Sequence, residues 1–109
     1  MSGLTNKKCK PCEGGVSPMS EAEINTMLAS LSDWQYQNGK LTKSWVLKNH
    51  YQAISFVNAI AWISHQENHH PYITVGYKDV KVEYWTHAID GISENDFICA
   101  AKVDQLSNH

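Results

Sequence analysis

The dipeptide Asn38-Gly39 constrains the fold most, because it predicts a tight β-hairpin. Both residue types tolerate the positive φ that two-residue hairpin turns require. Apolar and polar residues alternate on both sides of the turn, from Trp34 and Tyr36 before it to Trp45 after it. Alternation with a period of two places one face of each strand against a core. The sequence therefore predicts an antiparallel pair of strands here.

A second pair of strands is predicted farther along the chain. Ile73 and Val75 alternate with polar or small residues, and residues 77–79 are typical of a turn. The alternate positions after this turn are again apolar or β-branched: Val80, Val82, Tyr84 and Thr86. Gly91 ends this pattern. We therefore expect a second antiparallel hairpin that ends near His87.

A helix is predicted before the first hairpin. Ser20 and Glu23 form a capping box, in which each residue satisfies a backbone N–H group of the other. Apolar residues then follow at helical spacing: Ile24, Met27, Leu28 and Leu31. We expect this helix to end near Ser32-Asp33.

Two more helices are predicted, one between the hairpins and one after them. Asn49 is a suitable N-cap for the central helix. That helix must end before His70, because a residue that precedes proline avoids the helical region. Ser93 and Asp96 resemble another capping box, which predicts that a last helix begins there.

The predicted order is α-β-β-α-β-β-α. It indicates an α+β fold in which helices cover one face of a four-stranded antiparallel sheet. The chain has 109 residues, enough for one domain. Residues 1–18 show no periodicity and are interpreted as a flexible N-terminal arm, and residues 19–109 as the domain.

Composition excludes several classes of function. The net charge is −2 and none of the nine cationic side chains is arginine, which argues against nucleic acid as a direct ligand. No apolar run is long enough for a signal peptide or a membrane span. An odd number of cysteines, three, fits reduced thiols. We therefore expect a cytoplasmic protein with no membrane partner.

Histidine is the residue type that points to chemistry. Of six histidines, His69 and His70 stand at the exit of the central helix, immediately before Pro71. If the last two strands pair, His87 returns to the same end of the sheet. Three imidazoles at one place predict an acid–base site, since imidazole exchanges protons near neutral pH.

The pattern of these residues resembles the pterin-4a-carbinolamine dehydratase family over roughly residues 20–107. The matching positions are His65, His69, His70, Pro71, Tyr77, His87 and Asp96, with Thr86 directly before the last histidine. The helix and strand order also agrees with the α+β fold of that family. One departure is His65, which stands where the family often has an acidic residue.

The resemblance implies dehydration of 4a-hydroxytetrahydropterin to quinonoid dihydropterin, which serves aromatic amino-acid hydroxylation. It implies that His69 and His87 are the acid–base pair and that His70 orients the pterin. His65, Glu67, Pro71, Thr86 and Asp96 would bind substrate or support the histidines. Pterin is the substrate, so no cofactor and no metal is implied. A homodimer or homotetramer and an aromatic amino-acid hydroxylase are the implied partners.

Two other classes of function remain open. His65 and His69 have the i, i+4 spacing of a zinc-binding pair, and Glu67, His70 or His87 could complete a metal site. Metal analysis of the purified protein tests for this metal site.

A protein-interaction or transcriptional-cofactor module with little catalysis is the other alternative, because the central helix has a wide apolar face. A catalytic assay distinguishes that one.

Two further groups of side chains are interpreted as having no catalytic role. Cys9 and Cys12 form a single C-x-x-C pair, which is weak as a zinc or redox motif without a second pair. The side chains of four lysines are expected to be solvated: Lys43, Lys48, Lys78 and Lys81.

Overall fold

The computed structural model describes residues 3–10 and 17–107 of the chain. It has the predicted α+β architecture and element order. The helices are α1 (Glu21–Leu28), α2 (His50–Glu67) and α3 (Glu94–Ser107); the strands are β1 (Gln35–Gln37), β2 (Lys40–Val46), β3 (Tyr72–Val75) and β4 (Asp79–Tyr84). Within the two described ranges, no helix is long and apolar enough to cross a bilayer.

The Asn-Gly turn joins β1 to β2, as predicted. Asn38 has a φ of 53° and Gly39 a φ of 79°, so both use the positive φ that the dipeptide permits. The strand order is β1-β2-β4-β3, and every neighbouring pair is antiparallel. The two longest strands, β2 and β4, are therefore the centre of the sheet.

One face of the sheet is buried under helices. Val80, Val82 and Tyr84 of β4 are fully buried, whereas Lys81 between them is exposed. Ile60 of α2 and Phe97 of α3 are buried in the same core. The alternation of apolar and polar residues along β4 thus indicates which face of the strand packs against the helices.

Lys43 corrects the expectation that the strand lysines are solvated. It lies opposite Val82, on the buried face of β2, and its side chain is only 11% exposed. Its Nζ lies 2.9 Å from Oδ1 of Asp104 on α3, an oxygen that also accepts a hydrogen bond from Nε1 of Trp34. A buried ammonium group needs such a partner, which the sheet alone does not provide.

The helix boundaries follow their capping residues. The side chain of Asn49 accepts a hydrogen bond from the amide of Gln52, so the predicted start of α2 is confirmed. The helix ends at Glu67, and Asn68 is left-handed with a φ of 50°. Helix α1 instead ends at Leu28, earlier than predicted, because the amides of the next turn bond to carbonyls only three residues back.

The beginning of the chain differs from the predicted flexible arm over residues 3–10. Gly3–Asn6 form a short 3-10 helix that contacts α3, and Leu4 is buried in the core. A single buried leucine leaves no periodic signal, so the sequence pattern missed this packing. Residues 11–16, which include Cys12, lie outside the described residues, as does His109.

Candidate active site

A pocket of about 670 Å³ lies at the end of the sheet where α2 exits and β4 ends. His69, His70 and His87, the three histidines predicted to form a site, all line it. Pro71, which follows His70, and Thr86, which precedes His87, also line the pocket. The fold thus brings His70 and His87 to one pocket, although they are 17 residues apart in sequence.

The turn at the end of α2 separates the two adjacent imidazoles. The left-handed Asn68 redirects the chain, and the amide of His69 still bonds to the carbonyl of Ser64. Pro71 then extends the backbone into β3. As a result the side chain of His69 is only 12% exposed, whereas His70 is exposed at the pocket.

A buried carboxylate holds His69. Nε2 of His69 lies 2.6 Å from Oδ1 of Asp96, whose side chain is fully buried at the start of α3. The other oxygen, Oδ2, accepts hydrogen bonds from the hydroxyl of Thr86 at 2.8 Å and from the amide of Ser93 at 3.0 Å. Asp96 therefore caps α3 with one oxygen and orients an imidazole with the other.

His87 lies on a turn, where the sequence predicted the end of a strand. Strand β4 stops at Tyr84, and Thr86 pairs with Gly91 through two backbone hydrogen bonds that close a short 3-10 helix starting at His87. A Cβ atom on Gly91 would lie 2.6 Å from Cβ of Pro18, so only glycine permits this close approach. The turn presents His87 at the rim of the pocket.

Aromatic side chains form one wall of the pocket. The Trp85 ring lies 4.3 Å from the His87 ring and 4.7 Å from the Tyr72 ring, measured between centroids. Nζ of Lys40 lies over Trp85, 4.9 Å from the ring centroid. The sequence pattern did not identify Tyr72 as a site residue, although it directly follows the His-His-Pro motif. The Tyr72 and Trp85 planes are tilted by 60° to each other, and either ring offers an apolar face against which a planar ligand ring can pack.

Tyr84 lies behind His69 and stacks on it. The two ring planes are within 5° of parallel, and their centroids are 5.9 Å apart. Burial above all, and then the neighbouring Cys99, raise the pKa of Tyr84 well above its ordinary value of 10.0, although Ser64 offsets part of this shift. The phenol therefore stays protonated at neutral pH, and its ring restricts the movement of the imidazole.

Glu67 lines the pocket, but its carboxylate is bound by Cys9 of the N-terminal segment and by Lys102 of α3. Its carboxylate accepts a hydrogen bond from the amide of Cys9 at 2.8 Å and lies 3.3 Å from Nζ of Lys102. Burial is the largest single influence, and it raises the pKa of Glu67. The Cys9 amide and the Lys102 charge together lower the pKa by more than burial raises it, so it lies below its ordinary value of 4.5. Glu67 is thus an anchor for the N-terminal segment.

The N-terminal segment supplies pocket residues that sequence reasoning missed. Cys9, Lys10 and Asn95 all line the pocket. The side-chain amide of Asn95 donates to the carbonyl of Lys10 and accepts from its N–H. The C-x-x-C motif drew attention to Cys9, but no signal in the sequence indicated its position in the fold.

Comparison with known proteins assigns the family. The family model described as "Pterin 4 alpha carbinolamine dehydratase" matches residues 17–106. The chain belongs to this family. A relative from Dechloromonas aromatica, named "Putative pterin-4-alpha-carbinolamine dehydratase", is 56% identical over 94% of this chain and 92% of its own length. One of that name from Legionella pneumophila is 43% identical over 96% of each chain.

Solved structures of this dehydratase family have the same fold. A transcriptional coactivator/pterin dehydratase from Brucella melitensis matches with a TM-score of 0.78 and 29% identity, over 83% of this chain and 98% of its own. A pterin dehydratase-like protein identified as a RuBisCO assembly factor in the alpha-carboxysome matches with a TM-score of 0.57 and 25% identity, over 68% and 86%. The fold is therefore shared by relatives that are described as having different roles.

Two positions of the family resemblance, Tyr77 and His65, lie away from the pocket. The Tyr77 ring is exposed and stacks on that of His50, with 5.9 Å between centroids. His65 is exposed on α2, and its ring lies 5.7 Å from that of Trp62. Among residues 3–10 and 17–107, no group of three or more His, Cys, Asp or Glu side chains is arranged to hold a metal ion.

Proposed function

We propose that the protein dehydrates 4a-hydroxytetrahydropterin to quinonoid dihydropterin and water. The observation that supports this most is the buried Asp96 carboxylate 2.6 Å from Nε2 of His69, in a pocket that His70 and His87 share. Membership of the dehydratase family and the identity of the curated relatives agree with it. The aromatic wall of Tyr72 and Trp85 suits a bicyclic planar ring.

The Asp96 contact suggests which nitrogen of His69 reacts. A carboxylate only accepts hydrogen bonds, so Nε2 of His69 carries the donated proton and Nδ1 is left to exchange a proton with substrate. The carboxylate also stabilises the imidazolium that forms when Nδ1 is protonated.

The reaction then needs one acid and one base. A protonated imidazole gives its proton to the C4a hydroxyl, which leaves as water, while electrons from the ring nitrogen form the new double bond. The second imidazole takes the proton that the ring loses. We assign these steps to His69 and His87, and the orientation of the ring to His70. Such general acid–base groups contribute about 10²–10⁴-fold each.

The test is to generate the carbinolamine with an aromatic amino-acid hydroxylase and to follow its decay by absorbance. We expect the wild-type protein to accelerate the decay, and His69→Ala and His87→Ala each to reduce the acceleration by about 10²-fold or more. His50→Ala is the matched control, because His50 is exposed and its Nδ1 contacts the carbonyl of Tyr77, away from the pocket. Circular dichroism verifies that each variant is folded.

Two results would contradict the proposal in different ways. If the wild-type protein leaves the decay at its uncatalysed rate, the reaction is wrong. If the protein is active and His69→Ala remains fully active, the reaction stands and the site is wrong.

A second candidate function is protein binding through the outer face of α2. Tyr51, Ile54 and Trp62 are exposed there, and Trp62 is 59% exposed. One solved relative is a transcriptional coactivator/pterin dehydratase, and another is a pterin dehydratase-like protein identified as a RuBisCO assembly factor. We propose that this face makes the homodimer or homotetramer that the family resemblance implies. Sedimentation velocity should show a smaller species for Trp62→Glu than for wild type.

Two further parts of the proposal concern the cell. We propose a cytoplasmic location and a supporting role for an aromatic amino-acid hydroxylase, which would make the carbinolamine. A physical complex with the hydroxylase is tested by co-sedimentation of the two purified proteins, and unchanged sedimentation of both would contradict it.

A further inference from the structure

Two cysteines meet beside the pocket although they are distant in sequence. Sγ of Cys9 lies 3.5 Å from Sγ of Cys99, across 90 residues of chain. A disulfide bond is about 2.05 Å long, so the two sulfur atoms must approach each other by roughly 1.5 Å to form one. A rotation of the Cys9 side chain or a small shift of its segment can move Sγ of Cys9 by such a distance.

The fold holds both sides of this contact. Cys99 is fully buried on α3. The backbone of Cys9 and Lys10 is bound by three hydrogen bonds, one from the Cys9 amide to Glu67 and two between Lys10 and the Asn95 side chain. Leu4 anchors the same segment in the core. These contacts therefore hold the Cys9 backbone beside α3, within reach of Cys99.

We propose that Cys9 and Cys99 are a redox modification site, which a small disulfide oxidises reversibly to an intramolecular disulfide bond. Nothing in the dehydration reaction uses either thiol. The proposal is independent of the proposed function, because the readouts below require neither pterin nor turnover.

The exchange is balanced in electrons and protons. The Cys9 thiolate attacks one sulfur of the small disulfide, which forms a mixed disulfide and releases the first small thiolate. The Cys99 thiol then attacks Sγ of Cys9, and its proton passes to the second small thiolate as that group leaves, so that it departs as a thiol. The cysteine pair loses two electrons and two protons, and the small disulfide gains them as two thiols.

The surroundings of the two thiols determine the order of these steps. Cys9 is half-buried and lines the pocket, so a small disulfide can reach it. The hydrogen bond with Cys9 and then burial raise the pKa of the Cys99 thiol far above its ordinary value of 9.0. A buried protonated thiol is a poor first nucleophile, so Cys9 reacts first and Cys99 resolves the mixed disulfide.

Cys12 is the competing partner, since it is three residues from Cys9 in sequence. The full-length chain is equilibrated with mixtures of oxidised and reduced glutathione, alkylated and digested without reduction. Mass spectrometry of the peptides then identifies the cross-link. We expect Cys9 joined to Cys99 in wild type and in the matched control Cys12→Ser, and no intramolecular cross-link to Cys99 in Cys9→Ser.

A second readout is thermal stability. Closing a loop of this length raises the melting temperature by an amount on the order of 10 °C, and reduction should reverse it. Wild type and Cys12→Ser should both show the increase. Cys99→Ser should lack it and should instead accumulate glutathione on Cys9, because the resolving thiol is missing.

The proposal is overturned if Cys12→Ser forms no cross-link between Cys9 and Cys99 over the whole range of glutathione mixtures. It is also overturned if wild type forms only the Cys9–Cys12 bond. Neither result bears on the dehydratase proposal. Conversely, a protein that forms the Cys9–Cys99 bond but does not dehydrate the carbinolamine would contradict only the dehydratase proposal.

Discussion

The two ends of α3 each carry an aspartate, but the two carboxylates differ in burial and in their kinds of partner. Asp96, in the first turn, meets an imidazole, a hydroxyl and a backbone amide. Asp104, in the last turn, meets the ammonium of Lys43 and the indole of Trp34. A helix favours negative charge at its N-terminus and disfavours it at its C-terminus.

This difference indicates what each end of the helix does. The helix itself stabilises Asp96, so its partners can be neutral and one of them can exchange protons. Asp104 opposes the helix dipole and needs a permanent positive charge, which Lys43 brings from the sheet. The first end is suited to chemistry, and the second joins α3 to β2.

The largest expected effect is on activity at the first end. Asp96→Asn keeps the size of the side chain but removes the charge that orients His69, so we expect the rate of carbinolamine dehydration to fall by about 10²–10³-fold. The unfolding free energy should fall by only about 1 kcal/mol, since an amide still fills the helix cap. Glu94→Gln is the matched control, because this half-exposed carboxylate lies two residues earlier on the same helix. Full activity of Asp96→Asn would remove the distinction between the two ends.

The next effect is on stability at the second end. Asp104→Ala leaves the ammonium of Lys43 buried, with 11% of its side chain exposed, so we expect about 2–3 kcal/mol of unfolding free energy to be lost. The turnover number should be unchanged. Urea denaturation measures the loss, with Gln105→Ala as the exposed neighbouring control. A double change of Lys43→Met and Asp104→Leu should recover much of it, since two apolar side chains replace a buried ion pair. If the single change costs nothing, the ion pair does not hold α3 on the sheet.

The smallest effect concerns a third carboxylate, and it depends on pH. Contacts with the Cys9 amide and Lys102 hold the pKa of Glu67 below its ordinary 4.5, although burial raises it. Its contribution is therefore fully present above pH 4.5, and it is lost as the pH falls through the pKa of the folded state. Glu67→Gln should lose less stability than wild type between pH 5 and pH 3, measured by urea midpoints. Parallel curves for the two proteins would show that Glu67 does not act through its charge.

The site could be predicted in part, because its most informative residues are close in sequence. His69, His70 and Pro71 form a local motif, and the family pattern added His87 and Asp96. The structure brings all of these to one pocket or its edge, but leaves His65 outside it against Trp62 and Tyr77 outside it against His50. The contributions of Cys9, Lys10 and Asn95 were not predictable, since each depends on contacts between segments more than 50 residues apart.

The sequence by itself determined the elements of local geometry. Asn38-Gly39 specified a turn with positive φ, Asn49 specified the start of α2, and Pro71 limited its end, because each acts on backbone dihedrals within a few residues. Only the tertiary structure decided which groups meet across the chain. The approach of Cys9 to Cys99 and of Lys43 to Asp104 depends on how a short N-terminal segment and α3 pack on the sheet. Such packing depends on shape and burial over the whole core, which no local pattern encodes.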